Sequence, residues 1–158
     1  MMTDTIEKTL TVPLRPQDAF DLFTDHLQDW WPLDSHSLSA ADGDLPQDVT
    51  VDPREGGHIT ETRPDGVTGR WGTITEWAPG HALGISWHVG RDPSEATDLY
   101  IRFTPVEEGT RVDLTHGGFD RLAGAETMRA NYLSGWEHVL GRCYGTYCAA
   151  RAPAASGV

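Results

Sequence analysis

The sequence predicts an α+β fold in which a curved antiparallel sheet covers one face of a long C-terminal helix. Residues 125–150 place apolar side chains at steps of three and four, which is the period of an amphipathic helix. Residues 57–118 instead alternate apolar and polar side chains between short turns, as antiparallel strands do. A sheet with one apolar face needs a cover, and only the last helix is long enough to supply it.

The N-terminal part predicts one strand followed by two short helices. Alternation over residues 5–12 indicates a strand with a mainly apolar face. Pro16 suits the first turn of a helix, and a break near residues 24–26 separates it from a second short helix that Pro32 ends. Residues 33–56 are polar and irregular, as a functional loop or lid often is. Within them we expect short strands around residues 37–40 and 49–51.

Size and charge restrict the class of protein. The chain has 158 residues, which favours one domain over residues 1–152 with a tail at 153–158. The net charge of −12 repels phosphate backbones and anionic lipid, which argues against nucleic acid and membrane partners. The N-terminus lacks the pattern of a signal peptide, so we expect a cytoplasmic protein.

Metal-binding and nucleotide-binding motifs are absent from the sequence. The seven histidines form no HxxxH pattern, and no CxxC, P-loop or GxGxxG occurs, so we expect no metal and no cofactor. Cys143 and Cys148 lie five residues apart on the predicted helix, where their side chains diverge. We therefore expect two reduced thiols.

The predicted sheet and helix leave room for a ligand between them. A strongly twisted sheet that curls around a long helix tends to leave a gap, and small molecules bind in such gaps. Met128, Tyr132 and Trp136 are placed to line this gap from the helix, whereas Cys143 and Tyr147 are expected to pack against the core. The residues expected to bind a ligand are Trp30, Trp31, Ile59, Glu61, Ile74, Ile85, Trp87, Leu99, Ile101, Phe103, Leu114, His116, Met128, Tyr132 and Trp136.

Three of these residues are candidates for acid–base chemistry. Glu61 and His116 have inward parity on their strands, and Tyr132 faces the sheet from the helix. Burial can move the pKa values of a carboxyl group and an imidazole toward neutrality. The competing interpretation is that Glu61 pairs with Arg63 or Arg70 and that His116 bonds the backbone. A single bulge would reverse the parity on which both assignments depend.

Six segments, taken in order, resemble one known group of proteins. They are VPLRPQDAFDLFTD at 12–25, WWP at 30–32, GGHITETRPDG at 56–66, GTITEWAPGHALGISW at 72–87, RFTPVEEGTRVDLTHGGF at 102–119 and GWEHVLGRC at 135–143. They are similar to the SRPBCC superfamily, also called START-like or helix-grip, and within it to the activator of the heat-shock-protein-ninety ATPase (its C-terminal domain). The resemblance implies the helix-grip fold, and it covers members with very different activities, so it does not define one.

Three functions are consistent with the sequence. The leading hypothesis is a protein that binds a small apolar or aromatic molecule between sheet and helix, without a cofactor. The second is an enzyme of the polyketide cyclase or aromatase type that uses Glu61, His116 or Tyr132 to move protons. The third is a protein-interaction module like the co-chaperone domain. A homodimer is compatible with all three.

Overall fold

A single seven-stranded antiparallel sheet grips a long C-terminal helix in the computed structural model, which describes residues 5–33, 36–88, 95–119 and 125–151. The strand order is β1-β7-β6-β5-β4-β3-β2. The strands are β1 (Ile6–Val12), β2 (Asp48–Val51), β3 (His58–Thr62), β4 (Thr68–Ala78), β5 (Ala82–Trp87), β6 (Thr97–Val106) and β7 (Gly109–Gly117). The α+β helix-grip fold predicted from the sequence is therefore confirmed.

The helices also follow the predicted order. Helix α1 (Pro16–Thr24) begins at its proline, and α2 (Leu27–Trp30) follows after a two-residue break. The C-terminal helix runs without interruption through α3 (Ala125–Trp136), a π-helical segment (Glu137–Tyr144) and α4 (Gly145–Ala150). Within the described residues no helix is long and apolar enough to cross a membrane.

The π-helical segment changes which side chains of the last helix face the core. A π-helix bonds residue i to residue i+5, so its inward face advances by more than the usual three or four positions. Tyr144 and Cys148 are accordingly buried, whereas Cys143 and Tyr147 are only half-buried. Cys143 and Tyr147 pack against the core as predicted, but from its margin rather than from fully buried positions. Both cysteines are reduced thiols outside any disulfide.

The irregular segment between α2 and β3 differs in part from the prediction. The strand expected near residues 49–51 is present as β2, whereas residues 37–40 form no strand and lead into a 3-10 turn at Ser39–Asp42. Leu38 and Ser39 donate their backbone N–H groups to the carboxylate of Glu61 instead of to a neighbouring strand. A side-chain carboxylate thus takes the place of a strand partner.

Helices cover both edges of the sheet. The side-chain oxygen of Gln28, on α2, accepts a hydrogen bond from the backbone N–H of Val49 in edge strand β2. At the other edge, Lys8 on β1 forms a 2.9 Å ion pair with Glu137 on the C-terminal helix. Unpaired strand edges promote association with other chains, and these contacts reduce that tendency.

Candidate functional site: an indole cleft between sheet and helix

Four indole rings meet where the sheet faces the middle of the C-terminal helix. We call Trp31, Trp71, Trp87 and Trp136 the tryptophan cluster. Trp31 is central to it, with ring centroids 5.1 Å from Trp71, 5.8 Å from Trp87 and 5.9 Å from Trp136. These separations and the tilted or edge-on ring angles are those of favourable aromatic pairs. The cluster fills most of the gap that the sequence predicted between the two layers.

A cleft of about 250 Å³ remains beside the cluster. It is lined by Trp31, His36, Trp87, Asn131, Tyr132, Gly135, Trp136 and Val139. We call it the indole cleft. The exposed side chain of Asn131 marks its opening to solvent, and a recess of about 210 Å³ adjoins it at Ser37. The space is therefore an open cleft beside the middle of the helix rather than an enclosed cavity along the whole layer.

A hydrogen-bonded chain holds two walls of the cleft. The indole N–H of Trp136 donates to Nδ1 of His116 at 3.0 Å, and Nε2 of His116 lies 2.7 Å from the hydroxyl oxygen of Thr97. An indole can only donate, so Nδ1 accepts and the imidazole proton lies on Nε2, facing Thr97. The hydroxyl of Thr97 then donates to the backbone carbonyl of Trp87. Each polar atom in this buried chain has a partner.

The other walls are fixed in the same way. The indole N–H of Trp87 donates to the phenol oxygen of Tyr132 at 3.2 Å, and that of Trp31 donates to the backbone carbonyl of His36 at 2.6 Å. Tyr132 also packs edge-on against His116, with centroids 4.7 Å apart. The cleft walls are therefore preorganised by directional bonds, which lowers the entropy lost when a ligand binds.

His116 is a neutral structural residue at physiological pH. Burial disfavours the charged imidazolium and lowers the pKa of His116 from 6.5 to about 3. Its two nitrogens are both engaged, with Trp136 and with Thr97. A general base needs a nitrogen free to take a proton near neutral pH, and this imidazole has none.

Glu61 is a buried carboxylate that contacts no ligand-lining atom of the cleft directly. Its oxygens accept hydrogen bonds from the backbone of Leu38 and Ser39, the hydroxyl of Ser39 and the indole of Trp71. Burial alone would raise its pKa, but these hydrogen bonds outweigh burial and hold the pKa of Glu61 below its ordinary value. The competing interpretation, a pairing with Arg63 or Arg70, is wrong because backbone and side-chain donors already satisfy the carboxylate.

The structure brings four of the predicted ligand-binding residues to the cleft. These are Trp31, Trp87, Tyr132 and Trp136. The residues that instead lie buried in the core, away from the cleft, are Trp30, Ile59, Glu61, Ile74, Ile85, Leu99, Ile101, Phe103, Leu114 and His116. The side chain of Met128 lies outside the described part of the structure. The inward parity of the strand residues is as predicted, but packing by indole rings leaves them no open space to line.

Two contributors to the site were not singled out from the sequence. Trp71 points inward because β4 has a bulge against β3, where Ile59 pairs with Gly72 and Thr60 with Arg70. Trp71 is the extra residue, so simple alternation assigns it to the outer face. His36 reaches the cleft from an irregular segment that has no periodicity to interpret. Its Nε2 would lie 3.9 Å from a Cβ added at Gly135.

Metal ligands do not converge at this site. Among the described residues, no group of three or more histidine, cysteine, aspartate or glutamate side chains is arranged to hold a metal ion. Of the candidates for acid–base chemistry, Tyr132 alone lines the cleft. Chemically the site offers flat apolar surfaces, one phenol, and the polar edges of His36 and Asn131 at its mouth.

The architecture of a curved antiparallel sheet around a C-terminal helix, with a cleft between them, defines a START-like protein of the SRPBCC superfamily. The chain belongs to the family described as activator of Hsp90 ATPase homolog 1-like protein, whose model matches residues 13–143. The match covers most of the chain and agrees with the resemblance drawn from the six sequence segments.

Solved structures support the same fold. The Aha1 dimer from Colwellia psychrerythraea is 18% identical, with a TM-score of 0.67 over 94% of this chain and 97% of that one. The AHSA1-like protein from Aeromonas hydrophila is also 18% identical, with a TM-score of 0.62 over 93% of each chain. An anthrahydroquino-gamma-pyrone synthase, Txn09, is 30% identical, with a TM-score of 0.56 over 80% of this chain and 86% of that one. Comparison with curated protein sequences gives no significant match.

Proposed function

We propose that this protein binds a planar aromatic small molecule in the indole cleft. The observation that carries the proposal is the wall itself, in which Trp31, Trp87 and Trp136 present indole rings beside the phenol of Tyr132. Flat rings recognise flat ligands by stacking and edge contacts, with little specificity for their exact substituents. The volume of about 250 Å³ is just below the ~300–1,000 Å³ of ordinary ligand pockets. A compact ligand, one edge of which remains in solvent, fits this size.

Two further observations support this proposal over an interaction surface. The walls are held by hydrogen bonds from each lining indole, which is how a preformed binding site limits the entropy cost of binding. The 30% identical relative is named as a synthase of an aromatic compound and was solved in a complex. A ligand of related chemistry suits a cleft with aromatic walls.

The test is a fluorescence titration with two neutral aromatic probes, a two-ring naphthol and a three-ring hydroxyanthraquinone. Three tryptophans line the cleft, so a bound ring quenches their emission in a saturable way. Gly135→Leu directs a side chain into the cleft near His36, and we expect roughly tenfold weaker binding, ~1.4 kcal/mol. Without saturable quenching by either probe in the unmodified protein, the proposed function is wrong.

Gly141→Leu is the matched control. Gly141 lies on the same helix, and a Cβ added there meets no atom within 4 Å. Both substitutions replace a helical glycine by leucine, a better helix former, so loss of folding does not explain a difference between them. We expect Gly141→Leu to bind both probes as the unmodified protein does. If the two variants bind the probes equally well, the binding site is not the indole cleft.

A second candidate function is ring-forming catalysis on an aromatic ligand in the same cleft. The likeness to the synthase favours it, and of the three acid–base candidates identified from the sequence Tyr132 is the one that lines the cleft. Tyr132→Phe keeps the ring wall and removes the hydroxyl. For an anthrahydroquinone-type substrate, catalysis predicts that this variant retains binding and loses turnover. Unchanged turnover in Tyr132→Phe would show that the hydroxyl of Tyr132 takes no part in catalysis.

A homodimer is a separate proposal, prompted by the dimeric relative from Colwellia psychrerythraea. The two chains align over nearly their full lengths, so a shared assembly is geometrically available. Light scattering coupled to size exclusion measures the mass directly. A mass of one chain at micromolar concentration would exclude the dimer.

A further inference from the structure

Glu61 is a fully buried carboxylate outside the indole cleft, yet its hydrogen-bond partners Leu38, Ser39 and Trp71 adjoin residues that line the cleft. Oε1 accepts from the backbone N–H of Leu38 and from the indole of Trp71, both at 2.8 Å. Oε2 accepts from the backbone N–H of Ser39 at 2.7 Å and from its hydroxyl at 2.5 Å. No salt bridge to Glu61 occurs among the described residues, so these four hydrogen-bond donors stabilise the negative charge of the carboxylate.

Two of these connections lead straight to the cleft. Leu38 and Ser39 directly follow His36 and Ser37, which line the cleft and its adjoining recess. The Ser37 hydroxyl donates to the Leu33 carbonyl and accepts from the backbone N–H of Ala40. Residues 36–39 therefore form one hydrogen-bonded edge, and the carboxylate anchors it to the sheet.

The third connection runs through the tryptophan cluster. The indole of Trp71 is held by Glu61 and packs against Trp31 (tilted) and Trp87 (edge-on), at 5.1 Å and 6.0 Å between centroids. Trp31 in turn donates its indole N–H to the carbonyl of His36. The contacts thus form a closed circuit from the carboxylate through two indoles and back to the segment that the carboxylate holds.

We propose that Glu61 is a positioning residue of the indole cleft, which sets the distance between the His36–Ser39 edge and the Trp31 wall. The inference rests on the proposed function, because the property that Glu61 controls is the length of the ligand that the cleft accepts. A carboxylate suits this role because it accepts at every lone pair. A glutamine in the same place would present an N–H₂ group to donors that have no other acceptor.

The test compares Glu61→Gln with the unmodified protein by the ratio of the Kd values for naphthol and hydroxyanthraquinone. A variant that only lowers the fraction of folded protein weakens the binding of both probes by the same factor and leaves the ratio of their Kd values unchanged. Loss of the charged hydrogen bonds frees the 36–39 edge, and we expect the ratio to change on the order of tenfold. Val112→Ala, in the buried face of β7, is the control for destabilisation alone and keeps the ratio. An unchanged ratio in a folded Glu61→Gln protein overturns the proposal.

The indole N–H resonances provide a readout that does not depend on any probe. In Glu61→Gln the signals of Trp31 and Trp71 shift, whereas that of Trp30, bonded to the carbonyl of Leu22, stays in place. Unmoved Trp31 and Trp71 signals overturn the positioning role. If the unmodified protein binds neither probe, the proposed function fails while this spectrum still tests the role of Glu61.

A milder substitution covers the case in which Glu61→Gln does not fold. Ser39→Ala removes one of the four donors and leaves the carboxylate charged. We expect its Trp71 signal to shift, and the probe ratio to change in the same direction as for Glu61→Gln but by less. If Ser39→Ala leaves both the ratio and the Trp71 signal unchanged, the proposal is overturned.

Discussion

The indole nitrogen of Trp136 donates a hydrogen bond to Nδ1 of His116 at 3.0 Å, deep between the sheet and the helix. Trp136 is 2% exposed and His116 is fully buried. The contact joins the C-terminal helix to β7 and sets the orientation of one wall of the indole cleft. It also requires that the imidazole stay neutral, because a protonated Nδ1 cannot accept.

The stability of the fold should therefore depend on the protonation of His116. The folded pKa of about 3 lies below the ordinary 6.5, so the unfolded chain binds more protons between these values. The stabilisation that neutral His116 gives the folded state is fully present above pH 6.5 and is lost as the pH falls from 6.5 toward 3. Urea unfolding should show a loss of about 2 kcal/mol in the free energy of unfolding between pH 6.5 and 4.5. His116→Phe should be less stable at neutral pH but lose less on acidification.

The control for this pH dependence is His81→Gln. His81 is exposed at the turn between β4 and β5. This variant should keep the acid sensitivity of the unmodified protein. If His116→Phe and the unmodified protein lose the same free energy of unfolding over this pH range, protonation of His116 is not the cause of the acid sensitivity.

Removing the ring of Trp136 should strongly destabilise the protein. Trp136→Ala leaves a void among Trp31, Trp87 and His116 and leaves Nδ1 of His116 without its donor. We expect a loss of about 3–5 kcal/mol in the free energy of unfolding, measured by urea titration. Trp77→Ala should cost less, because Trp77 is half-buried and packs against Phe20 at the edge of the core. Equal losses would mean that the tryptophan cluster is not the centre of the core.

The two thiols should differ sharply in reactivity. Cys148 is fully buried, and burial raises the pKa of its thiol to about 11. Since the thiolate is the reactive form, Cys148 should react with Ellman's reagent only when the protein unfolds. Cys143 is half-buried and should account for the thiol that reacts in the native state. Rapid native labelling of a Cys143→Ser variant would show that α4 opens readily.

Local sequence patterns predicted the elements well where one residue has a strong local effect. Pro16 and Pro32 bracket the two short helices, because proline suits a first turn and ends a helix. The outlines of the C-terminal helix were also predicted correctly, but its π-helical segment was not. In that segment Tyr144 packs against Phe23 and Trp30, which are more than 100 positions away in the chain, and helical periodicity carries no sign of such contacts.

The candidate site was predicted only in part, because it depends on departures from regular periodicity. Tyr132 and Trp136 were identified since helical spacing places them toward the sheet. Trp71 was missed because a bulge reverses its direction, and His36 because its segment has no regular pattern. Glu61 was correctly predicted to face inward, yet its partners come from residues 38, 39 and 71 rather than from a neighbouring arginine.

The sequence by itself determined the family, the order of the main elements and the faces that the regular strands bury. Those properties follow from short-range periodicity and from motifs that each lie within a few consecutive residues. The tertiary structure alone decided that the tryptophan cluster fills the gap, leaving a cleft near Tyr132, and that Glu61 anchors one edge of it. Packing and buried hydrogen bonds depend on distances between residues far apart in the chain, such as Leu38 and Glu61 or Trp31 and Trp136. No local pattern encodes such distances.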